Sequence, residues 1–289
     1  MKSKTPAVLI LVPSRAKLFA LLLSLGALAV AIPIIGQTQL VLYDNFGAPR
    51  INPSRWIGLD GDVTNLRDTV RTVVQDESDS GDGLLHLFQN AYAFTNSDSG
   101  GTGGVFGLGF PNPASVTDLS FTVTVKKMLA VGCATNSSPS GGSAEFRGRF
   151  FNTEISPTSQ LGDVESVIGP SRLSTDTGSQ FTVVAFYQRC DDANCGARTT
   201  LDFKVLGFVN PGEQSTLRIK WDQANHRFVY QLNRQGEIVS PYAVSDVSAA
   251  VGQGKGIEIA HVVPNCTTAP RPVVTADAYF GNVYVNPQP

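Results

Sequence analysis

The most constraining stretch of this chain is Leu217 to Asn233, where apolar and polar residues alternate strictly on both sides of a short polar turn. Leu217, Ile219 and Trp221 share one face, with Arg218, Lys220 and Asp222 on the other. Beyond the turn Phe228, Tyr230 and Leu232 share a face, with Arg227, Val229 and Gln231 opposite. Successive side chains of a strand point to opposite sides of the sheet, so this period of two predicts a half-buried β-hairpin.

The same signal recurs along the chain. Leu40 to Phe46, Val70 to Val74, Leu84 to Phe88, Phe121 to Val125, Ala144 to Phe151, Phe181 to Tyr187, Leu201 to Leu206, Ile257 to Val263 and Ala278 to Val285 all read as strands, separated by clusters of Gly, Pro, Ser and Asn. No segment carries a capped helical period. A succession of short strands without helices predicts an all-β sandwich or barrel. With 289 residues, 42% of them hydrophobic and 16% charged, the chain can bury a substantial core. No repeat or linker splits residues 37–289, which are expected to form a single domain.

Residues 1–36 differ in kind. Lys2, Lys4, Arg15 and Lys17 precede a charge-free apolar run from Leu18 to Ile35, the layout of a secretory signal peptide. Cleavage is expected after about residue 31 or 36; left uncleaved, the run is barely long enough to span a bilayer. Removing it takes four of the 22 Lys and Arg and none of the 24 Asp and Glu, so the remainder is acidic. Nucleic acid is therefore not an expected partner, and neither is a membrane once the signal is cleaved. The destination is secreted, periplasmic or cell-surface.

Four cysteines follow the signal, and an even number in an exported chain favours disulfides. Cys190 and Cys195 flank the turn-like Asp-Asp-Ala-Asn and are expected to pair, leaving Cys133 with Cys266. The rival, a Cys₄ metal site, normally shows two close cysteine pairs, and here there is one.

Three stretches together resemble the concanavalin A-like lectin/glucanase superfamily: Tyr43-Asp-Asn-Phe46 with Pro53-Ser-Arg-Trp56, the Leu217 to Leu232 hairpin, and Ala278-Tyr-Phe-Gly-Asn-Val-Tyr-Val285 as a closing strand pairing with the first. The resemblance implies a two-sheet antiparallel jelly-roll sandwich with six or seven strands per sheet. One sheet would be concave, with ligand sites on or beside its concave face. It implies no activity by itself, since one fold hosts many functions.

The glucanase branch of that superfamily aims two catalytic carboxyl groups from one strand, as Glu-x-Asp-x-x-Glu, and this chain lacks that motif. Asp163 and Glu165 read as solvated loop residues and Glu258 as an outward strand residue. An enzyme would need two acids within about 10 Å of each other. His86, His226 and His261 read as structural, with no nucleophile elbow or zinc-hydrolase motif near them. For a structural Ca²⁺, Asp76, Asp79 and Asp82 crowd one acidic turn with Glu77, and Asp60 with Asp62 forms a second; turns also favour Asp without any ion.

For sugar stacking the aromatic candidates are Trp56, Tyr92, Phe106, Tyr187, Tyr230 and Tyr242, with Tyr92 and Tyr242 preferred as loop-borne rings. Arg147 and Arg149 share a strand face with Glu145, as Arg218 does with Lys220. These charges form either a ligand face or a solvated back with cross-strand pairs. The reading is a non-catalytic protein recognising an extracellular carbohydrate. Its alternatives are a polysaccharide-acting hydrolase or lyase, and an adhesive surface protein without a small ligand.

Overall fold

The computed structural model describes residues 39–60, 67–75, 82–93, 95–153 and 158–286. The signal segment and the acidic residues Asp62, Asp76, Glu77 and Asp79 lie outside the described residues.

Among the described residues there are sixteen strands: β1 (Val41–Asp44), β2 (Ile57–Asp60), β3 (Arg67–Gln75), β4 (Gly83–Tyr92), β5 (Gly101–Gly109), β6 (Asp118–Val131), β7 (Gly141–Asn152), β8 (Asp163–Leu173), β9 (Phe181–Cys190), β10 (Arg198–Val209), β11 (Gln214–Asp222), β12 (Arg227–Leu232), β13 (Ile238–Pro241), β14 (Ser248–Ala249), β15 (Lys255–Pro264) and β16 (Val273–Val285). They form two antiparallel sheets of eight strands each, one or two more than the resemblance implies. Sheet 1 runs β13-β12-β11-β6-β16-β4-β3 with β1 on β16; sheet 2 runs β10-β9-β8-β7-β15-β5-β2 with β14 on β7. The architecture is a jelly-roll sandwich.

The opening hairpin forms as expected. Leu217 pairs with Leu232 and Trp221 with Phe228, and His226 closes the turn in the left-handed region at φ 48°. The first strand lies on the last, Val41 opposite Val285. Alternation delivers one face of each sheet to a shared core of Phe121, Phe146, Phe151, Phe228, Phe280, Leu85, Leu217 and Ile257, all essentially inaccessible. Fully burying each such side chain contributes about 1.5–3 kcal/mol.

Both disulfides are present as paired above. Cys133 follows β6 of sheet 1 and Cys266 follows β15 of sheet 2, so that bridge ties the sheets together; Cys190–Cys195 closes the β9–β10 turn. A bulge in β7 leaves Phe150 without a partner opposite, between Arg149 (facing Glu165) and Phe151 (facing Val164). The extra residue lets Phe150 and Phe151 both turn into the core while Arg149 keeps to the outer face. No helix of the described residues is long and apolar enough to cross a membrane.

Candidate functional site

The outer face of sheet 2 gathers a cluster of ionisable side chains. Because paired residues of adjacent strands point to the same side, the register defines its rows. Arg147, Val167, Phe186 and Phe203 form one row across β7, β8, β9 and β10. Arg149, Glu165, Gln188 and Thr200 form the next. On the other side of Arg147, Glu145 stands directly opposite Glu258 of β15.

These residues converge on Arg147. Its Nε donates to Glu145 Oε1 at 3.1 Å and to Glu258 Oε1 at 2.8 Å, its Nη1 to Glu165 Oε1 at 2.9 Å, and its Nη2 to Glu145 Oε1 at 2.6 Å. Two like charges directly opposite each other in a ladder repel, and one guanidinium between them is what makes the Glu145–Glu258 pair tolerable. Glu165 is shared in turn: Arg149 Nε lies 3.7 Å and Arg198 Nε 3.5 Å from its carboxylate, and Gln188 Nε2 donates to it at 2.7 Å.

Burial and charge push these groups apart. Burial drives the Glu258 carboxyl up to about 8, with Arg147 opposing and Glu145 and Glu165 adding to the rise. Burial also works against ionised Glu165, but Arg147, Arg198, Gln188 and Arg149 overcome it and hold the carboxyl below its usual range. Arg147 is held well above the ordinary arginine value, burial being outweighed by its three carboxylates. For Arg198 burial wins, helped by repulsion from Arg147 and Arg149, and its pKa falls below the ordinary value.

The acids therefore occupy places the sequence reading did not give them. Asp163 and Glu165 sit on β8, not in a loop, and are fully buried; Glu258 lies on a strand as read, but is buried between Gly107 and Glu145. The Gly, Pro and Ser of Asp163–Leu173 suggested a loop, whereas β8 is covered on both faces, by the core and by the arginines. Asp163 serves as an anchor: its carboxylate accepts from Val251 N at 2.9 Å, Gly252 N at 2.7 Å and Asn152 Nδ2 at 2.8 Å. The pinned loop packs against Arg149, beside a cleft of about 200 Å³ lined also by Phe150, Trp221, Gln223 and Asp246.

Across β9 and β10 the same face turns apolar and open. Phe203 (53% exposed), Val205 (51%) and Phe208 (61%) line the edge strand, and Phe203 stacks on Phe186 with centroids 6.3 Å apart. The sequence reading missed these rings. Trp56, Phe106, Tyr187, Tyr230 and Tyr242, which it named for stacking, are all buried in the core. Strand parity was the signal available: in β9 Tyr187 shares its face with Phe181, Val183 and Ala185, while Phe186 shares its own with Thr182 and Gln188.

Tyr242 packs its ring against Phe151 and Phe228 and bonds Asp246 Oδ2 at 2.6 Å and Trp221 Nε1 at 2.7 Å, which leaves no ring face open to a sugar. Tyr92 ends strand β4 of sheet 1 and donates to Asp68 at 2.8 Å, so it is not a loop ring. Arg218 and Lys220 also belong to sheet 1, away from Arg147 and Arg149. Arg218 makes a two-pronged contact to Asp118 at 2.9 and 2.8 Å. All three histidines have partners: His86 with Asp277 at 2.9 Å, His226 with Asp246 at 3.1 Å and His261 with Gln89 at 2.7 Å.

Of the acidic turn named for Ca²⁺, only Asp82 is described, and it accepts from Asn45 Nδ2 at 2.6 Å. Among the described residues Asp98, Cys133 and Cys266 come within metal-binding distance of one another, but the two sulfurs are joined in a disulfide and so are not thiolate ligands.

No protein-family model matches this sequence, and no curated protein matches it. Solved structures do. A GlcNAcα1-4Gal-releasing endo-β-galactosidase from Clostridium perfringens matches with a TM-score of 0.44 at 10% identity, over 89% of this chain and 66% of that one. The catalytic domain of an endo-1,3-β-glucanase (laminarinase) from Thermotoga petrophila matches with 0.38 at 13%, over 87% of this chain and 100% of that one. Lectin II from Ulex europaeus matches with 0.34 at 12%, over 80% and 97%. These are concanavalin A-like lectin/glucanase folds, the superfamily the sequence motifs resemble. At these scores the likeness carries no argument about this chain, and any function has to come from the chain's own residues.

Proposed function

We propose that the protein is an exported carbohydrate-binding sandwich that holds a glycan on the outer face of sheet 2 and does not cut it. The observation that carries this reading is a contrast in exposure. The Glu145, Glu165 and Glu258 side chains are 4%, 3% and 3% exposed, beneath Arg147, Arg149 and Arg198 at 23%, 18% and 31%. A catalytic acid has to reach the glycosidic oxygen, and here arginine stands between the carboxyls and any ligand. What faces outward is guanidinium donors beside the open Phe203–Val205–Phe208 stripe. Such a pairing of hydrogen-bond donors with an apolar ring face suits a sugar, which has polar edges and apolar faces. The two disulfides fit an oxidising destination.

A hydrolase is the second reading, and one geometry favours it. Glu145 Oε1 and Glu258 Oε1 both contact Arg147 Nε, so they lie within about 6 Å of each other, close enough for paired-carboxyl chemistry. Purified residues 37–289 should be retained on a glycan array and release no new reducing ends from the polymers retained. Phe203→Ser should weaken retention about fivefold, the effect of losing roughly 1 kcal/mol of aromatic contact. Reducing-end release abolished by Glu258→Gln would establish the hydrolase instead. An array with no retention and no release would leave the adhesive alternative standing.

A further inference from the structure

Three guanidiniums lean on one carboxylate. Arg147, Arg149 and Arg198 approach Glu165 at 2.9, 3.7 and 3.5 Å. Arg147 has Glu145 and Glu258 besides, but the Arg149 and Arg198 guanidiniums form no other ion pair and no hydrogen bond among the described residues. Each guanidinium presents five N–H donors, so this half-buried patch, in which three arginines face Glu145, Glu165 and Glu258, holds unused, forked donors on Arg149 and Arg198. Burial, and after it repulsion from Arg147 and Arg149, works against the charge on Arg198, while Glu165 and Asp192 favour it. A buried or half-buried charge without a full partner is costly, and an incoming anion would relieve that cost. Guanidinium matches the two-oxygen geometry of a carboxylate or sulfate better than any other side chain does.

The row through Arg147 then runs by way of Val167 and Phe186 to exposed Phe203, three strand spacings or about 14 Å away. That span accommodates a chain of several sugar rings, one end over aromatic carbon and the other over guanidinium.

Building on the proposed glycan-binding face, we infer that its ligand is an anionic polysaccharide, with an acidic sugar seated on Arg149 and Arg198 and a neighbouring ring stacked on Phe203. Uronate carboxylates and sulfate esters present the same chemistry to these arginines, and the test separates them.

Residues 37–289 are titrated against polygalacturonate and its carboxyl-reduced form, a sulfated galactan and its desulfated form, and a neutral β-glucan. Binding of the uronate or the sulfated polymer is expected to weaken about tenfold or more once the anionic group is removed, as befits the loss of charge-assisted hydrogen bonds. It should weaken further as salt is raised. Arg149→Gln and Arg198→Gln should each reproduce about tenfold loss, with an unchanged thermal midpoint showing that the fold is intact. Which polymer binds names the source of the anion. Equal binding of anionic polymers and their neutralised forms, or binding of the neutral glucan alone, overturns the inference and leaves the glycan-binding reading in place. Retention of none of the five overturns both.

Discussion

The two outer faces of the sandwich handle charge in opposite ways. On sheet 1 the partners are individual: Arg218 grips Asp118 with both ends of its fork, His86 bonds Asp277 while stacking on Tyr279 at 4.4 Å, and Tyr92 bonds Asp68. On sheet 2 one arginine serves three carboxylates and one carboxylate serves three arginines. On sheet 1 each group has one main partner, Arg218 adding only the exposed Glu237 at 3.6 Å and Tyr92 only Asn90, and such local pairing makes a finished surface. Sharing leaves donors over and, with burial, raises the Glu258 pKa, and it is on those spare donors that the proposed ligand face rests.

The contrast breaks most visibly at its two central arginines. Arg147→Ala strips three buried carboxyls of their common partner and is expected to cost about 3–5 kcal/mol in urea unfolding. Arg218→Ala strands one buried acid, Asp118, and frees the exposed Glu237, and should cost about 1–3 kcal/mol. Equal losses would show that the sheet 2 cluster is no more interdependent than an ordinary pair.

A glycine comparison sharpens the same point at smaller scale. A Cβ added to Gly169 would meet the Ala144 carbonyl oxygen at 2.4 Å and Glu145 Cβ at 2.7 Å, contacts that backbone cannot yield. Gly169→Ala should destabilise by about 1–3 kcal/mol and displace Glu145 beneath Arg147. On sheet 1 the corresponding clash at Gly281 is with the Leu84 Cδ2 methyl at 2.8 Å, a side chain able to rotate, so Gly281→Ala should cost less. The difference is measurable by chemical denaturation of the two variants.

The mildest test is pH. Glu258 rises from 4.5 to about 8 on folding, so the native state holds the extra proton between those values and stability should fall as pH climbs through that window. Lys255 works the other way. Buried over Phe150, with its amine bonded to the Val116 carbonyl, it drops from 10.5 to about 7, so stability should rise with pH between those values. Together they predict a shallow minimum near pH 7–8, the range where the two windows overlap. Glu258→Gln should remove the falling limb and Lys255→Met the rising one, read as unfolding midpoints from pH 5 to 10 (roughly the span of both titrations). A falling limb that survives in Glu258→Gln would mean that another group carries the proton.

Much of the fold was legible in the sequence because its determinants are local. Alternation in Leu217 to Leu232 specified which residues meet across the hairpin, and the turn between Cys190 and Cys195 specified the short disulfide, leaving the other two cysteines to join the sheets. The site was legible only in part. Arg147 and Arg149 were identified from their shared strand face with Glu145, but Tyr187 was chosen where its neighbour Phe186 faces outward. Parity along β9 separates the two, since one residue of shift exchanges core for solvent.

What the sequence determined by itself is the all-β character, the faces of the most regular strands such as the Leu217 to Leu232 hairpin, and the pairing of the cysteines, all set by periods and spacings within short stretches. Only the tertiary structure decided that Glu145 and Glu258, on strands β7 and β15 far apart in the chain, stand face to face, and that Glu165 completes their cluster from a third strand. Alternation says to which side of a strand a side chain points; it does not say which strand lies alongside. In an antiparallel sandwich that choice is made by core packing and long connections, and it is the choice that turned three scattered acids into one shared site.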